Sequence, residues 1–304
     1  MDITLSELKK GFNRVGYICE ESTALTVFLT LELGKPLLIE GAPGVGKTEM
    51  GKVLADILHT DLIRLQCYEG LDETKALYEW NYQRQLLRIQ MNRDLEEEQV
   101  QEEDLFSSKY LMERPLLKAI QADQQPVLLI DEVDKCDPEF EAFLFEVLSD
   151  FQVSIPELGT IEAKNIPVVV LTSNNERELS DGLKRRCLYL YLDFPPLEQE
   201  VQIVKTKIPE ITDRLAWEIS RVIAQLRQEN NLRKKPSIAE TLDWARALVA
   251  LDRNRLDGKV VSESLNLVLK THADQEFFHR EIGPKGIEQL IKSGGSGGEA
   301  SQCR

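Results

Sequence analysis

Two stretches of this chain carry residue types whose spacing can handle phosphate. The first is Gly41-Ala42-Pro43-Gly44-Val45-Gly46-Lys47-Thr48, which fits G-x-x-x-x-G-K-[ST]. The backbone N–H groups of such a loop can wrap around phosphates, and the N-terminus of a following helix adds the positive end of its dipole. Lys47 would reach the β- and γ-phosphates, the Thr48 hydroxyl would ligate Mg²⁺, and Glu49 follows them in the same turn. The second stretch is Asp131-Glu132, at the end of the apolar run Val127-Leu128-Leu129-Ile130. Asp131 would hold the water shell of Mg²⁺, and Glu132 would orient and deprotonate an attacking water. The acid pair favours hydrolysis over the work of a nucleotide kinase. No residue in either stretch separates ATP from GTP.

Two further groups suit the same chemistry. Val168-Val169-Val170-Leu171 ends in Thr172-Ser173-Asn174-Asn175, and Asn174 at that tip could hydrogen-bond both the γ-phosphate and the attacking water. Asn at a strand end is also an ordinary turn residue. Lys184-Arg185-Arg186 follows, with Arg186, or Arg185 as the alternative, able to stabilise charge on transferring phosphoryl oxygens, an effect of about 10³–10⁵ in rate. Basic residues there would also complement a helix dipole.

The elements that must position these residues can be read in chain order. Pro36–Glu40 reads as a strand, and Thr48–Leu58 as the helix after the glycine-rich loop. Ahead of them, residues 5–33 alternate helical-looking positions with turns, and a helix starts near Glu20 or Glu21. The break at Gly16-Tyr17-Ile18 reads either as core packing or as a segment flanking an adenine ring. Asp61–Cys67 reads as a second strand. Asp72–Gln90 reads as a helix containing Tyr78, Trp80 and Tyr82, and 109–121 as another, broken at Pro115. The acidic run from Asp94 to Asp104 reads as a solvated segment. Continuous apolar runs at 127–130 and 168–171 fit strands buried on both faces of a parallel sheet, where ligands bind at the carboxyl edge. Asp137-Pro138 opens a helix with Phe140, Phe143, Leu144, Val147 and Leu148 on one face. Phe151–Asn165 reads as a hairpin turning at Pro156–Gly159, Leu179–Arg186 as a helix, and Cys187–Leu192 as a strand.

Pro195-Pro196 marks a boundary, after which the pattern turns helical. Leu215, Ile219, Val222, Ile223 and Leu226 share one face. Ser237-Ile238-Ala239-Glu240 is a capping box. Val260–Leu269 and Pro284–Ile291 read as the last helices, and the Gly/Ser-rich tail from Ser293 as flexible. The expected division is 1–195, 196–292 and 293–304.

Composition narrows the partners. The net charge of -15 counts against a general nucleic-acid binder, because phosphate neutralisation needs clustered Lys and Arg. The five cysteines lie far apart and form no C-x-x-C, which points to reduced thiols in a cytosol, and three histidines with no metal-ligand spacing count against a zinc site. The N-terminus has no signal-peptide pattern, and no apolar run approaches the ~20 residues needed to span a membrane.

Glycine-rich loop, acid pair, strand-tip Asn, Arg pair and helical C-terminal region, in that order, resemble the AAA+ ATPases from about Leu5 to Ile291. Three finer features look like the MoxR family: the hairpin before the Asn strand, the elaborated segment after the second strand, and Leu183-Lys184-Arg185-Arg186-Cys187 running into Asp193-Phe194-Pro195. The phrase Lys235-Pro236-Ser237-Ile238-Ala239-Glu240-Thr241-Leu242-Asp243-Trp244 is similar to the lid of the branch associated with carbon monoxide dehydrogenase maturation. The resemblance implies an α/β core with a parallel five-stranded sheet flanked by helices and a small all-α lid. It makes Gly41–Thr48 Walker A, Asp131 with Glu132 the end of Walker B, Asn174 sensor 1, and Arg186 or Arg185 a finger acting on a neighbouring subunit. It further implies a hexameric ring that uses ATP and Mg²⁺ to remodel a protein client, with a von Willebrand factor A domain partner, in metalloenzyme maturation or complex assembly. The position of the family's lid arginine is Ala239 here, with Arg233, Lys234 and Lys235 nearby. Two other classes remain beside this one, a nucleotide-gated binding switch and a DNA-directed machine.

Overall fold

The computed structural model describes residues 3–94, 105–156 and 158–292. Most of the acidic run, 95–104, and the tail from 293 lie outside the described residues. The chain forms two compact units, one of Met1–Gly11, Glu20–Gly41 and Lys47–Leu192, the other of Phe12–Cys19, Ala42–Gly46 and Asp193–Arg304.

The first unit is built on a five-stranded parallel sheet. In chain order its strands are β1 (Leu37–Gly41), β2 (Leu62–Gln66), β5 (Val127–Asp131), β8 (Val168–Ser173) and β9 (Leu188–Leu192), and in space they run β2-β5-β8-β1-β9. β1, β5 and β8 are buried along their whole length, as their unbroken apolar runs require. The edge strand β2 alternates instead, with Ile63 and Leu65 buried and Arg64 and Gln66 exposed. Parallel neighbours need crossovers, supplied here by helices. α1 (Leu5–Arg14) and α2 (Glu21–Leu33) precede the sheet, and α3 (Lys47–Leu58) follows the glycine-rich loop. Register brings the strand tips level: Glu40 faces Ser173, and Gln66 faces Asp131. Helix α7 (Pro138–Asp150) buries Phe140, Leu144, Val147 and Leu148, and ends where Phe151 turns to φ 49°. Asp137 sits at its N-cap position without making a side-chain cap bond; Pro138 at the first turn supplies the start. The hairpin forms as β6 (Gln152–Ile155) and β7 (Gly159–Glu162).

Residues 72–90 depart from the single expected helix. They form α4 (Glu73–Ala76), β3 (Tyr78–Trp80) and α5 (Tyr82–Asp94). The expected helix over 109–121 is likewise a 3₁₀ turn (Ser108–Tyr110), β4 (Leu111–Glu113) and α6 (Pro115–Gln121). A long-range pairing decides both: β3 and β4 are antiparallel partners, and Trp80 packs edge-on against Phe106 with ring centroids 5.3 Å apart. Of the three neighbouring aromatics, Trp80 is buried and Tyr82 is exposed. The unit closes with α8 (Asp181–Arg186), capped by Ser180.

The second unit has its own helical core. Its helices are α9 (Leu197–Lys207), α10 (Asp213–Gln228), α11 (Ile238–Ala250), α12 (Gly258–Ser264), α13 (His272–Phe277) and α14 (Gly283–Lys292). The predicted face of α10 is buried, together with Trp244 and Phe278. The helix expected over 260–269 ends at Ser264 and tightens into a 3₁₀ turn, Leu265–Leu267. α13 and a π turn, Phe278–Ile282, went unread because no long apolar period marks them. A bidentate pair, Arg227 to Glu200 at 2.6 and 2.9 Å, joins α10 to α9. Arg227 also donates to the Pro236 carbonyl and fixes the approach to α11. Among the described residues no disulfide joins Cys19, Cys67, Cys136 or Cys187, and no helix is long and apolar enough to cross a membrane.

Candidate functional site

Five of the expected residues meet at the carboxyl edge of the sheet. Buried Lys47, the first residue of α3, donates from Nζ to the Gly41 carbonyl at 2.6 Å and to Asn174 Oδ1 at 2.8 Å. Burial pulls its pKa below the usual lysine range; Asp134, Asp131 and Glu132 oppose that shift only in part. Thr48 donates from Oγ1 to Asp131 Oδ1 at 2.9 Å. Thr172, one of the buried residues of β8, donates to the same oxygen at 2.5 Å and accepts from the Glu132 amide at 2.9 Å. Glu132 takes a left-handed conformation, φ 58°, which costs a non-glycine residue about 1–2 kcal/mol. The Thr172 bond helps to hold that turn.

Both carboxylate oxygens of Glu132 are engaged. Oε2 accepts from Gln66 Nε2 at 2.9 Å and from Lys135 Nζ at 2.8 Å, and Oε1 lies 3.4 Å from Asn174 Nδ2. The Glu132 bond raises the pKa of Lys135. Asp134 fixes the Asn174 loop, accepting from the amides of Asn174 at 3.1 Å and Glu176 at 2.9 Å. Arg64 reaches Asp131 Oδ2 with Nε at 3.1 Å and Nη2 at 2.5 Å, and it also donates to Gln66. Arg64, Gln66, Asp134, Lys135 and Thr172 were not singled out from sequence. The usable signal for the first two was the alternation in 62–66, which puts both on the exposed face of a strand ending level with Asp131.

The glycine-rich loop needs its glycines. Gly44 and Gly46 adopt φ 75° and 101°, and a Cβ on Gly44 would lie 2.4 Å from Ser237 Oγ. Ala42, Pro43, Gly44, Val45 and Gly46 belong to the second unit, where Ser237 forms the expected capping box at the start of α11. The Ala239 Cβ lies 3.8 Å from the same point over Gly44, while Arg233, Lys234 and Lys235 are exposed. Gly16, Tyr17 and Ile18 lie in this unit too. Gly16 turns at φ 66° against Thr206, Tyr17 packs on Phe12, and the Ile18 carbonyl accepts from Gln199 at 3.1 Å. Glu49 lies 3.5 Å from Lys52. Arg185 and Arg186 are exposed outside the hydrogen-bonded cluster, and the Arg186 guanidinium sits over the Phe145 ring at 4.5 Å.

The donor set suits Mg²⁺. Thr48 and Asp131 offer hard oxygens side by side, and among the described residues no group of three or more His, Cys, Asp or Glu side chains could cage a metal alone. Mg²⁺ characteristically takes one or two protein oxygens and completes its shell with phosphates and water.

Similarity to known proteins agrees with this arrangement. A chaperone protein ClpB of Corynebacterium diphtheriae is 27% identical over 59% of this chain and 20% of its own length. The gas vesicle ATPase GvpN1 of Halobacterium salinarum is 24% identical over 65% of this chain and 58% of its own. The chain therefore spans less than two thirds of either relative. A variant of Thermotoga maritima RuvB shares the fold, with a TM-score of 0.50 and 20% identity over 91% of this chain and 82% of that one. The model of the AAA domain (Cdc48 subfamily) matches residues 35–217, more than half of the chain. That span holds Lys47, Thr48, Asp131, Glu132, Asn174 and the Arg pair, and the chain belongs to this family of AAA+ ATPases.

Proposed function

We propose that this chain is an ATP-hydrolysing, chaperone-like remodeller of the MoxR type, acting in the cytoplasm as a homo-oligomeric ring, a hexamer, on a protein client. A von Willebrand factor A domain protein is the proposed partner, and metalloenzyme maturation or complex assembly the proposed setting. Residues 1–195 form the nucleotide-binding domain in this reading, 196–292 the lid and 293–304 a tail. The observation that carries it is the single hydrogen-bonded cluster of Lys47, Thr48, Asp131, Glu132 and Asn174 at the carboxyl edge of the parallel sheet.

Each residue has a part. The loop amides of 41–46 and Lys47 bind the phosphates. Mg²⁺, when bound, neutralises phosphate charge, and Thr48 and Asp131 are the residues that would hold it. Glu132 orients the attacking water and takes its proton, while Asn174 spans Lys47 and Glu132 and so fixes water against phosphate. Gly16, Tyr17 and Ile18 take the adenine. Arg186, or Arg185, is exposed and is the proposed finger for a neighbouring subunit's phosphates.

A second reading, a nucleotide-gated switch with slow hydrolysis, is favoured by one observation: Gln66 and Lys135 both donate to Glu132 Oε2, so a water must compete with them for that oxygen. Steady-state ATPase measurements on wild type, Glu132→Gln, Arg186→Ala and an equal mixture of the two variants test the proposal. Each variant is expected to be nearly inactive and the mixture partly active, because some interfaces would pair an intact Glu132 with an intact Arg186. Full activity of Arg186→Ala, or no recovery on mixing, would remove the shared-site ring and leave the switch.

A further inference from the structure

Asp131 is fully engaged. A carboxylate offers about four lone-pair positions. Thr48 and Thr172 fill those of Oδ1, and the Nε and Nη2 groups of Arg64 fill those of Oδ2. Any metal-bound water that is to reach Asp131 has to displace one of these four donors. Thr48 is itself the proposed metal ligand, and Thr172 is anchored by the Glu132 amide. The donor that can leave is Arg64. It stands on the edge strand of the sheet, its side chain is 48% exposed, and its long stem lets the guanidinium swing into water at little cost. It is also the one cation among the three side chains that supply these donors. Its charge opposes a second cation drawn to the same carboxylate.

We propose that Arg64 is a built-in rival of Mg²⁺ for Asp131. It is a positioning residue whose guanidinium holds the carboxylate in place and lowers the affinity of the site for the divalent cation. This rests on the reading of Thr48 and Asp131 as the metal-holding pair of a nucleotide site. The bond from Arg64 to Gln66 extends the consequence, since Gln66 holds Glu132: when Arg64 gives way to the metal, Gln66 loses the partner on its Oε1 and its grip on Glu132 Oε2 loosens. Metal occupancy at one acid is thereby linked to the freedom of the other.

The test uses Mn²⁺ as the probe. Free Mn²⁺ is followed by electron paramagnetic resonance as it is titrated into the full chain with saturating ADP, for wild type, Arg64→Gln and Arg64→Lys. Melting curves in EDTA verify that each variant is folded; the exposed position of Arg64 makes that the expected result. Arg64→Gln is expected to bind Mn²⁺ about tenfold more tightly than wild type, about 1.4 kcal/mol, because the rival charge is gone. Arg64→Lys, which keeps the charge but loses the planar two-bond fork, is expected to fall between wild type and the Gln variant. Equal or weaker Mn²⁺ binding by Arg64→Gln overturns the proposal, as does a Lys variant that tightens as much as the Gln variant. If wild type shows no ADP-dependent Mn²⁺ binding, the nucleotide-site reading falls and takes this inference with it.

Discussion

In the proposed mechanism the chemistry turns on Glu132, and the structure holds that residue by two donors to one oxygen. A hydrogen bond to a charged group contributes roughly 1.5–3 kcal/mol. Removing the neutral donor with Gln66→Ala is therefore expected to raise basal ATP turnover, without client, by up to about tenfold. A coupled assay measures it, and a fall in rate would mean that Gln66 orients the glutamate instead of restraining it. Thr172 makes a second prediction at this scale. Thr172→Val keeps the shape but strips the hydroxyl from Asp131 and from the amide of a residue held at positive φ. The expected loss is about 1–3 kcal/mol of stability, read as a lower melting temperature in the absence of nucleotide. Lys47, Thr48, Asp131, Glu132 and Asn174 were legible in the sequence because each sits beside its own strand or loop signal. Arg64, Gln66 and Thr172 were not. Their partners lie on neighbouring strands, and strand order is not written in any local stretch.

At the scale of elements, the same distinction separates what could be read from what could not. Fully buried strands and the capping box at Ser237 are local patterns, and they formed where expected. The segment 72–90 has helix-compatible residues throughout, yet pairing with 111–113 turns its middle into a strand. Glu141 shows how one element positions another. It lies buried on α7, accepts from the Ser180 amide at 2.6 Å and the Arg177 guanidinium at 2.8 Å, and so fixes the start of α8, which carries Arg185 and Arg186. Burial pushes its carboxyl up, but the hydrogen bonds from Ser180 and Arg177 outweigh it, and the pKa lies below the usual glutamate value. A depressed folded pKa means that the unfolded chain binds the proton more readily. The stability from Glu141 is thus present above the unfolded pKa and lost as pH falls through the folded one. Glu141→Gln is expected to flatten the acid limb of the stability–pH curve below about pH 4.3, measured by denaturant midpoints. An unchanged acid limb would show that Glu141 is not the group responsible. Gly44 gives the companion case in the second unit. Gly44→Ala meets Ser237 Oγ and carries a positive φ, so Gly44→Ala with Ser237→Gly is expected to recover part of the lost nucleotide affinity and not all of it.

For the whole molecule the two hydrophobic cores and the charge matter most. One core packs around Leu128, Ile130 and Leu144, the other around Trp244, Ile219 and Phe278, so each unit has apolar material of its own. The chain as a whole carries 37 basic and 52 acidic side chains. The fold shared with a RuvB variant says nothing about a DNA substrate, and charge provides the sharper argument. A protein that neutralises six to ten phosphates loses about 10³–10⁵ in affinity between 50 and 200 mM salt, because each contact releases a counterion. That signature needs a basic face, and a net charge of -15 opposes the approach of a polyanion as a whole. Filter binding with duplex and single-stranded DNA is expected to show no retention near 150 mM salt and no steep slope below it, with or without ATP. Retention with a slope of several counterions would locate a basic face that the overall charge conceals, and would favour a DNA-directed machine over a remodeller of protein. Flat binding combined with ATP turnover that rises on adding a protein client would leave the protein remodeller as the reading consistent with both charge and chemistry.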